Sequence, residues 1–245
     1  MNLDQEALVT RDADGIPRRR RWLRVWQAAI FLTLVVLAVL WPRYDRNFGV
    51  VDPGRVYRSA QPYKGLGTLI REKKLGTILN LRGGSSVDPW YANEVSTTEA
   101  AGVDFYDFPM SATRRPSRSE LLVLLDFFER CRYPLLIHCK QGSDRTGMAS
   151  AIYLMSMKSL PPGDAVGEFS IVYGHVPFSG TRRLHEPFDE YAAWLGAKSL
   201  DHTPARFRNW LEREYKSEGR EAGPLPLLPG PRHSVAAKER AAVGG

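Results

Sequence analysis

Two side chains of this sequence have types and a spacing that could do chemistry, Cys139 and Arg145. They lie in one polar run, which reads His138, Cys139, Lys140, Gln141, Gly142, Ser143, Asp144, Arg145, Thr146 and Gly147. An apolar, strand-like run precedes it, and a helix-prone stretch follows. This order places backbone N–H groups and the positive end of a helix dipole around a single anion. Because the same groups would stabilise a thiolate, we expect an anion-binding loop with a nucleophilic cysteine.

The spacing of this pair predicts phosphoryl transfer. The thiolate of Cys139 can attack phosphorus in line with the leaving oxygen, which gives a phosphocysteine that water then hydrolyses. The planar fork of Arg145 can hold two phosphoryl oxygens and match their charge in the transition state. We expect the reaction to need no metal and no cofactor. The other loop residues expected to hold the phosphate are Lys140, Gln141, Gly142, Ser143 and Thr146.

The pattern His138-Cys139-x5-Arg145-Thr146-Gly147 resembles the signature of the protein tyrosine and dual-specificity phosphatase superfamily. Residues 57–62 (YRSAQP) and 80–82 (NLR) are similar to segments of its bacterial dual-specificity members. The resemblance extends over about residues 48–195. It implies that His138 favours the thiolate, that Thr146 assists breakdown of the phosphoenzyme and that the loop turns at its glycine. An isolated cysteine is more often a core residue, but this combination favours the catalytic interpretation.

The sequence departs from that family at the general acid. Most members carry an aspartate on a loop about thirty residues before the cysteine, but the corresponding loop here, 109–116 (PMSATRRP), has no carboxylate. Asp144 matches the aspartate of the myotubularin and Sac-type lipid phosphatases, which also lack the usual acid, and is the first candidate. Asp107 is the second. A third interpretation is that Asp144 only pairs with an arginine such as Arg114 or Arg115.

The substrate stays open between a phosphorylated protein and an anionic phospholipid. A tyrosine or dual-specificity protein phosphatase is the first expectation. The alternatives are a phospholipid or inositol-phosphate head-group phosphatase, favoured by Lys140 and Asp144, and a phosphate-binding pseudophosphatase, suggested by the missing loop acid. His175 is expected to be a structural or surface histidine and not a catalytic one. Basic residues that could line the mouth of the site, or could equally be solvated surface, are Arg114, Arg115, Arg118, Arg182 and Arg183.

The charge of the chain is compatible with an acidic partner. Its 245 residues have a formal net charge of +7, which suits an acidic substrate, a nucleic acid or an anionic membrane. The sequence shows no basic stripe interleaved with aromatic residues and no zinc-finger spacing. We therefore expect no nucleic-acid partner.

Short strand-like runs alternate with helical segments, at residues 55–58, 77–81, 103–108 and 135–139. This order predicts an α/β fold whose central sheet has about four to five strands, is largely parallel and carries helices on both faces. A capping box at Ser117 and Glu120 predicts a helix that ends near Cys131, and another helix is expected to begin close to Gly147. The phosphatase domain is expected over residues 47–216, followed by a disordered tail over residues 217–245.

The N-terminal region predicts a membrane anchor. Residues 22–41 are almost continuously apolar, which is about the length that a bilayer core requires. Five arginines lie among residues 18–24, so we expect a basic cytoplasmic N-terminus over residues 1–21 and a catalytic domain outside the cytoplasm, periplasmic in a bacterium. A cleaved export signal is the alternative, although the stretch is long and no A-x-A-like site follows it.

The chain has two cysteines, Cys131 and Cys139. The predicted strand between them extends over roughly 16 Å, which is beyond the reach of a disulfide. We therefore expect two free thiols.

Overall fold

The structure is a computed structural model that describes residues 18–44, 47–177 and 179–216. It divides into two compact units, one up to Trp41 and one from Pro42 onward. The helices and strands are α1 (Arg18–Tyr44), β1 (Gly49–Asp52), β2 (Val56–Ser59), α2 (Leu66–Lys73), β3 (Thr77–Asn80), α3 (Pro89–Ala100), β4 (Asp104–Asp107), α4 (Arg118–Arg130), β5 (Leu135–His138), α5 (Asp144–Lys158), α6 (Pro162–Ala165), α7 (Glu186–Lys198) and α8 (Pro204–Arg213). Short 3₁₀ turns occupy residues 166–168, 171–173 and 179–184.

The described part of the N-terminal unit is helical and belongs to α1. Over the residues that the structure describes, no helix combines the length and the apolar character that crossing a membrane requires. The membrane span predicted at residues 22–41 is therefore not supported. Most of the predicted basic N-terminus, residues 1–17, and the predicted tail, residues 217–245, lie outside the described residues.

The second unit is built on a five-stranded sheet with the order β1-β2-β5-β3-β4. The pairs β2–β5, β5–β3 and β3–β4 are parallel, and only the edge strand β1 is antiparallel. The prediction of four to five largely parallel strands is confirmed. Strand β1 was not predicted, because its four residues carry no strong strand pattern and its pairing with β2 contains a register shift.

Helices pack on both faces of the sheet. Successive side chains of β5 point to opposite faces, so they belong to two separate parts of the hydrophobic core. Leu135 and Ile137 pack with the apolar side chains of α4, α5 and α8. Leu136 belongs to the opposite cluster, with residues of α2 and α3. Strands β2, β3 and β5 are buried along their whole length, as expected for strands covered on both faces. Cys139 continues the α4/α5 side.

Two helix starts position the catalytic region. The capping box at Ser117 and Glu120 is present, and α4 ends at Arg130 as predicted. Helix α5 begins at Asp144, three residues before the expected start, because the loop runs directly into it: the carbonyl of Ser143 accepts a hydrogen bond of 2.7 Å from the N–H of Gly147.

Candidate active site

The polar loop lies at the carboxyl edge of the parallel strands, where β5 ends and α5 begins. This edge is the usual ligand-binding edge of parallel α/β sheets. Cys139 is the first loop residue and is only 2% exposed. Its Sγ accepts a hydrogen bond of 3.3 Å from the N–H of Gly142. The thiol is therefore held inside the turn of the loop, and both cysteines are free as predicted.

Gly142 makes the turn that the resemblance implied. Its φ is +68°, in the left-handed region. A Cβ at this position would lie 2.5 Å from the backbone N of Ala60, a distance that packed atoms do not tolerate. The loop therefore passes so close to the segment after β2 that only glycine fits.

Arg145 is anchored along one side of its guanidinium. Its Nη1 donates to the carbonyls of Leu81, at 3.1 Å, and Met110, at 3.3 Å, which follow β3 and β4. Its Nε is buried and has no partner among the described residues. The backbone thus fixes the fork and leaves a buried donor for another acceptor, which suits a phosphoryl oxygen.

The hydroxyl of Thr146 is also buried and finds no partner within the part of the chain that the structure describes. Ser143 is 3% exposed, whereas Lys140 and Gln141 are exposed. A cavity of about 460 Å³ lies beside the loop. Its lining consists of Asn47, Ala60, Lys140, Gln141, Ser143, Tyr173 and Gly174.

Asp144, the first candidate acid, is bound to a pair of histidines. Its Oδ1 lies 2.7 Å from Nδ1 of His175, and Nε2 of His175 lies 2.7 Å from Nε2 of His185. His175 is 3% exposed, so its expected structural character fits its burial. Burial lowers the pKa of His185, and the neighbouring His175 lowers it further. One carboxylate oxygen of Asp144 is thereby held by this pair.

The arginines proposed as partners of Asp144 are engaged elsewhere. Arg114 pairs with Glu120 at 2.7 Å, and Arg115 forms a two-pronged pair with Glu190. The interpretation in which Asp144 only pairs with one of these arginines is therefore wrong. Arg118 donates to the carbonyl of Tyr215 near the end of the described chain. All three arginines thus contact groups outside the catalytic loop.

Asp107, the second candidate acid, ends β4. Its Oδ2 accepts a hydrogen bond of 2.8 Å from the hydroxyl of Tyr91 on α3. The loop that follows, 109–116, contributes a backbone carbonyl to Arg145 and contains no carboxylate. The two carboxylates considered from the sequence therefore both have a protein partner.

His138 belongs to a buried polar group on the α3 side of the sheet. Its Nε2 lies 2.8 Å from Oε1 of Glu94, but the angle between the two groups does not meet that of a hydrogen bond. Both side chains are almost completely buried. The other oxygen of Glu94 accepts from Nε2 of Gln61 at 2.7 Å. Glu94 was not expected from the sequence, because a single acidic residue on a helix normally indicates a solvated face.

Arg58 and Asn47 also contact the loop and were not assigned a role from the sequence. Arg58 is completely buried and donates to the carbonyl of Gly142 at 2.9 Å. Asn47 donates to the carbonyl of Gln141 at 2.8 Å. For Arg58 the available signal was its position at the end of the strand-like run 55–58, since an arginine buried in a strand requires partners.

A buried thiol at the start of a strand-loop-helix turn, followed by an anchored arginine, defines a cysteine-dependent phosphatase. Comparison with known families agrees: residues 49–158, from β1 to the end of α5, match the model of the family described as "Polymorphic toxin system, DSP-PTPase phosphatase". This match over residues 49–158 confirms the resemblance to the protein tyrosine and dual-specificity phosphatases that was seen in the sequence.

Solved phosphatase structures show a distant likeness. TpbA of P. aeruginosa is 20% identical, with 68% of this chain and 96% of that chain covered and a TM-score of 0.48. The catalytic core of the PP-IP phosphatase SIW14 of S. cerevisiae is 21% identical, with 62% and 93% covered and a TM-score of 0.48. Tk-PTP in its active form is 23% identical, with 62% and 97% covered and a TM-score of 0.46. Likenesses at this level carry no argument about the substrate of this chain.

Proposed function

We propose that the domain hydrolyses phosphomonoesters through a phosphocysteine intermediate, with phosphorylated protein as its first substrate class. The observation that carries this proposal is the Sγ of Cys139, held 3.3 Å from the N–H of Gly142 inside the loop. Backbone N–H groups of the loop, such as that of Gly142, can also hold phosphoryl oxygens, and the buried Nε of Arg145 adds a charged donor.

In the first step the sulfur of Cys139 attacks phosphorus. A P–S bond forms while the P–O bond to the leaving group breaks, and the leaving oxygen takes up a proton. Arg145 is a rigid partner for the transferred group because Leu81 and Met110 already fix its Nη1. Charge that develops on the equatorial oxygens then meets donors that need no reorganisation.

In the second step water attacks phosphorus and the P–S bond breaks, which releases inorganic phosphate and restores the thiolate. The hydroxyl of Thr146 suits this step, because it is buried directly after Arg145 and can donate to the departing sulfur or to phosphate. The water loses a proton to a base, which is the group that served as the acid in the first step.

Asp144 is proposed as that acid and base. It is the first residue of α5, next to Arg145, and its side chain is 20% exposed. His175 engages Oδ1, so the second oxygen is the one that can exchange a proton with substrate. Asp107 is the alternative, held by Tyr91 at the end of β4.

A second candidate function is hydrolysis of an inositol-phosphate or phospholipid head group. It is favoured by Lys140, which is exposed directly after the nucleophile and lines the 460 Å³ cavity beside the loop. A second phosphate of such a substrate would find a cation there. A phosphate-binding pseudophosphatase is the third candidate, and it would bind the same ligands without turnover.

A turnover screen of the full chain tests these candidates together. We expect inorganic phosphate to be released from phosphotyrosine peptides, and Cys139→Ser to abolish release while retaining phosphate binding through the loop N–H groups and Arg145. Preferential release from phosphoinositide vesicles would favour the second candidate. Oxyanion binding without release from any of these substrates would favour the third, and turnover by Cys139→Ser above background would overturn the mechanism.

Localisation is a separate proposal that rests on the sequence. The basic residues before the apolar stretch 22–41 support a cytoplasmic N-terminus and a catalytic domain across the membrane.

A further inference from the structure

The outer side of the catalytic loop is occupied by hydrogen-bond donors. Four consecutive carbonyls, those of residues 140–143, each accept a bond from outside the loop. The N–H of Gln61 reaches residue 140 at 3.3 Å, Nδ2 of Asn47 reaches residue 141 at 2.8 Å, and Nη2 of Arg58 reaches residues 142 and 143 at 2.9 and 3.4 Å. Such an unbroken series determines how the peptide planes of the loop are oriented.

In a trans peptide the carbonyl and the following N–H point in opposite directions. The one cis peptide in the described chain is Tyr133–Pro134, so the loop peptides are trans. Each carbonyl held outward therefore turns the next N–H, from residue 141 to residue 144, toward the interior of the loop. The contact between the N–H of Gly142 and the Sγ of Cys139 shows this inward direction directly.

Arg58 is fixed in this role by its surroundings. It extends from β2, the neighbour of β5, and its guanidinium is completely buried. Nη1 pairs with the carboxylate of Glu168 and also donates to the carbonyl of that residue at 2.8 Å. The ring of Tyr173 lies 3.7 Å from the guanidinium carbon. A buried guanidinium is costly without partners, and here acceptors engage both terminal nitrogens and an aromatic ring covers the group, whereas Nε has no partner among the described residues.

Asn47 supplies a further contact to the loop. It is 2% exposed and has a φ of +51°, a conformation that asparagine adopts more readily than most residues. Besides the loop carbonyl, its Nδ2 donates to the carbonyl of Tyr173 at 2.8 Å. Asn47 thus joins the catalytic loop to the same segment that packs on Arg58.

We propose that Arg58 and Asn47 are positioning residues that hold the catalytic loop in its anion-binding shape. Donors that are already aimed at the transferred group stabilise its charge without reorganisation, so their alignment contributes to binding and to rate. The inference rests on the proposed function in one respect, namely that the inner face of the loop receives a phosphoryl group.

The alternative is that Arg58 only satisfies backbone groups in the interior. Arg132 provides a comparison: its side chain is 55% exposed, and it donates to the carbonyls of Gly76 and Gly102 but not to the catalytic loop. A purely structural arginine should affect stability alone when it is changed. A positioning arginine should also affect the affinity for an oxyanion.

The test measures tungstate binding to the full chain by calorimetry, together with kcat and KM for a phosphotyrosine peptide. Arg58→Lys keeps a positive charge but loses the fork, and Asn47→Gly removes the donor while tolerating the positive φ. We expect each variant to bind tungstate about tenfold more weakly and to lose kcat/KM by at least as much. Arg58→Lys removes the guanidinium that holds two loop carbonyls, and Asn47→Gly removes the amide that holds a third. Arg132→Lys should stay within about twofold of the parent.

Thermal unfolding of each variant shows whether a loss of tungstate affinity comes from a loss of stability or from a misaligned loop. If Arg58→Lys does not fold, the tungstate affinity of Asn47→Gly tests the inference by itself. Variants that lose stability but bind tungstate like the parent would overturn the inference. A parent that does not bind tungstate at all would overturn the proposed function instead, since that result concerns the loop and not its supports.

Discussion

Nδ1 of His175 lies 2.7 Å from the carboxylate of Asp144, so the aspartate that precedes the catalytic arginine is held from behind by a buried imidazole. This contact engages one oxygen of the carboxylate. The second oxygen is the one available for proton transfer to a leaving group, which makes the role of Asp144 accessible to experiment.

If Asp144 donates the proton, Asp144→Asn should depend on the leaving group. We expect a loss of about tenfold or more on phenyl phosphate and of about twofold or less on 4-nitrophenyl phosphate, whose leaving oxygen needs little protonation. Steady-state kinetics on the two esters measures this difference. Asp107→Asn is the matched control, and a leaving-group effect in that variant alone would transfer the role to Asp107.

Arg145→Lys should nearly abolish turnover. A lysine cannot keep the backbone contacts of the guanidinium and also present a second donor to phosphate, so we expect kcat/KM to fall by about a hundredfold or more. The control is Arg118→Lys, which changes an arginine bound to the carbonyl of Tyr215. An Arg145→Lys enzyme within twofold of the parent would remove this residue from the site.

The two cysteines should differ in reactivity. Burial raises the pKa of Cys131 to about 11. At pH 8 only about one in a thousand Cys131 side chains would be thiolate, so iodoacetamide should label Cys139 first. Peptide mapping by mass spectrometry checks the site, and tungstate should protect Cys139. Equal labelling of both residues in the folded chain would contradict the prediction, whereas both should react in denaturant.

The histidines should make the stability of the fold sensitive to acid. Burial lowers the pKa of His185 from its ordinary value of 6.5, so the unfolded chain binds a proton more readily than the folded one. The contribution of the neutral His185 to the free energy of unfolding should therefore be fully present above about pH 6.5 and should be lost progressively as the pH falls below it. Thermal unfolding at pH 7.5 and 5.5 measures the loss.

His185→Gln should show a smaller acid-induced loss than the parent. Burial also lowers the pKa of His202, which makes His202→Gln a second variant with the same expected direction. An unchanged pH dependence in His185→Gln would mean that other groups cause the acid sensitivity.

The topology prediction is tested by reporter fusions. A fusion after Lys216 should behave as non-cytoplasmic and a fusion before Arg18 as cytoplasmic, because five arginines lie among residues 18–24. Alkaline phosphatase activity of the fusions in a bacterial host measures the location. The reverse pattern, or a fully soluble fusion protein, would refute the anchored arrangement.

The sequence predicted the parts of this molecule that depend on local order. The buried run 135–137, the loop glycine and the capping box at Ser117 each have a local signature, and each is found where expected. The partners of Asp144 and of the loop carbonyls could not be predicted, because His175 and Asn47 reach them from distant segments. The edge strand β1 escaped notice because its four residues pair only with β2.

The donors behind the loop come from far along the chain: Asn47 is 94 residues from Gln141, and Arg58 is 84 residues from Gly142. A nascent or unfolded chain therefore contains the cysteine and the arginine of the signature but has no aligned cage around the sulfur. The loop can hold the sulfur as a thiolate only when the strands on both sides of β5 have assembled. Before folding, Cys139 is therefore an ordinary cysteine like Cys131, and the catalytic thiolate forms with the fold. Thiol labelling during refolding, at a pH where an ordinary cysteine is mostly protonated, would report when the sheet closes.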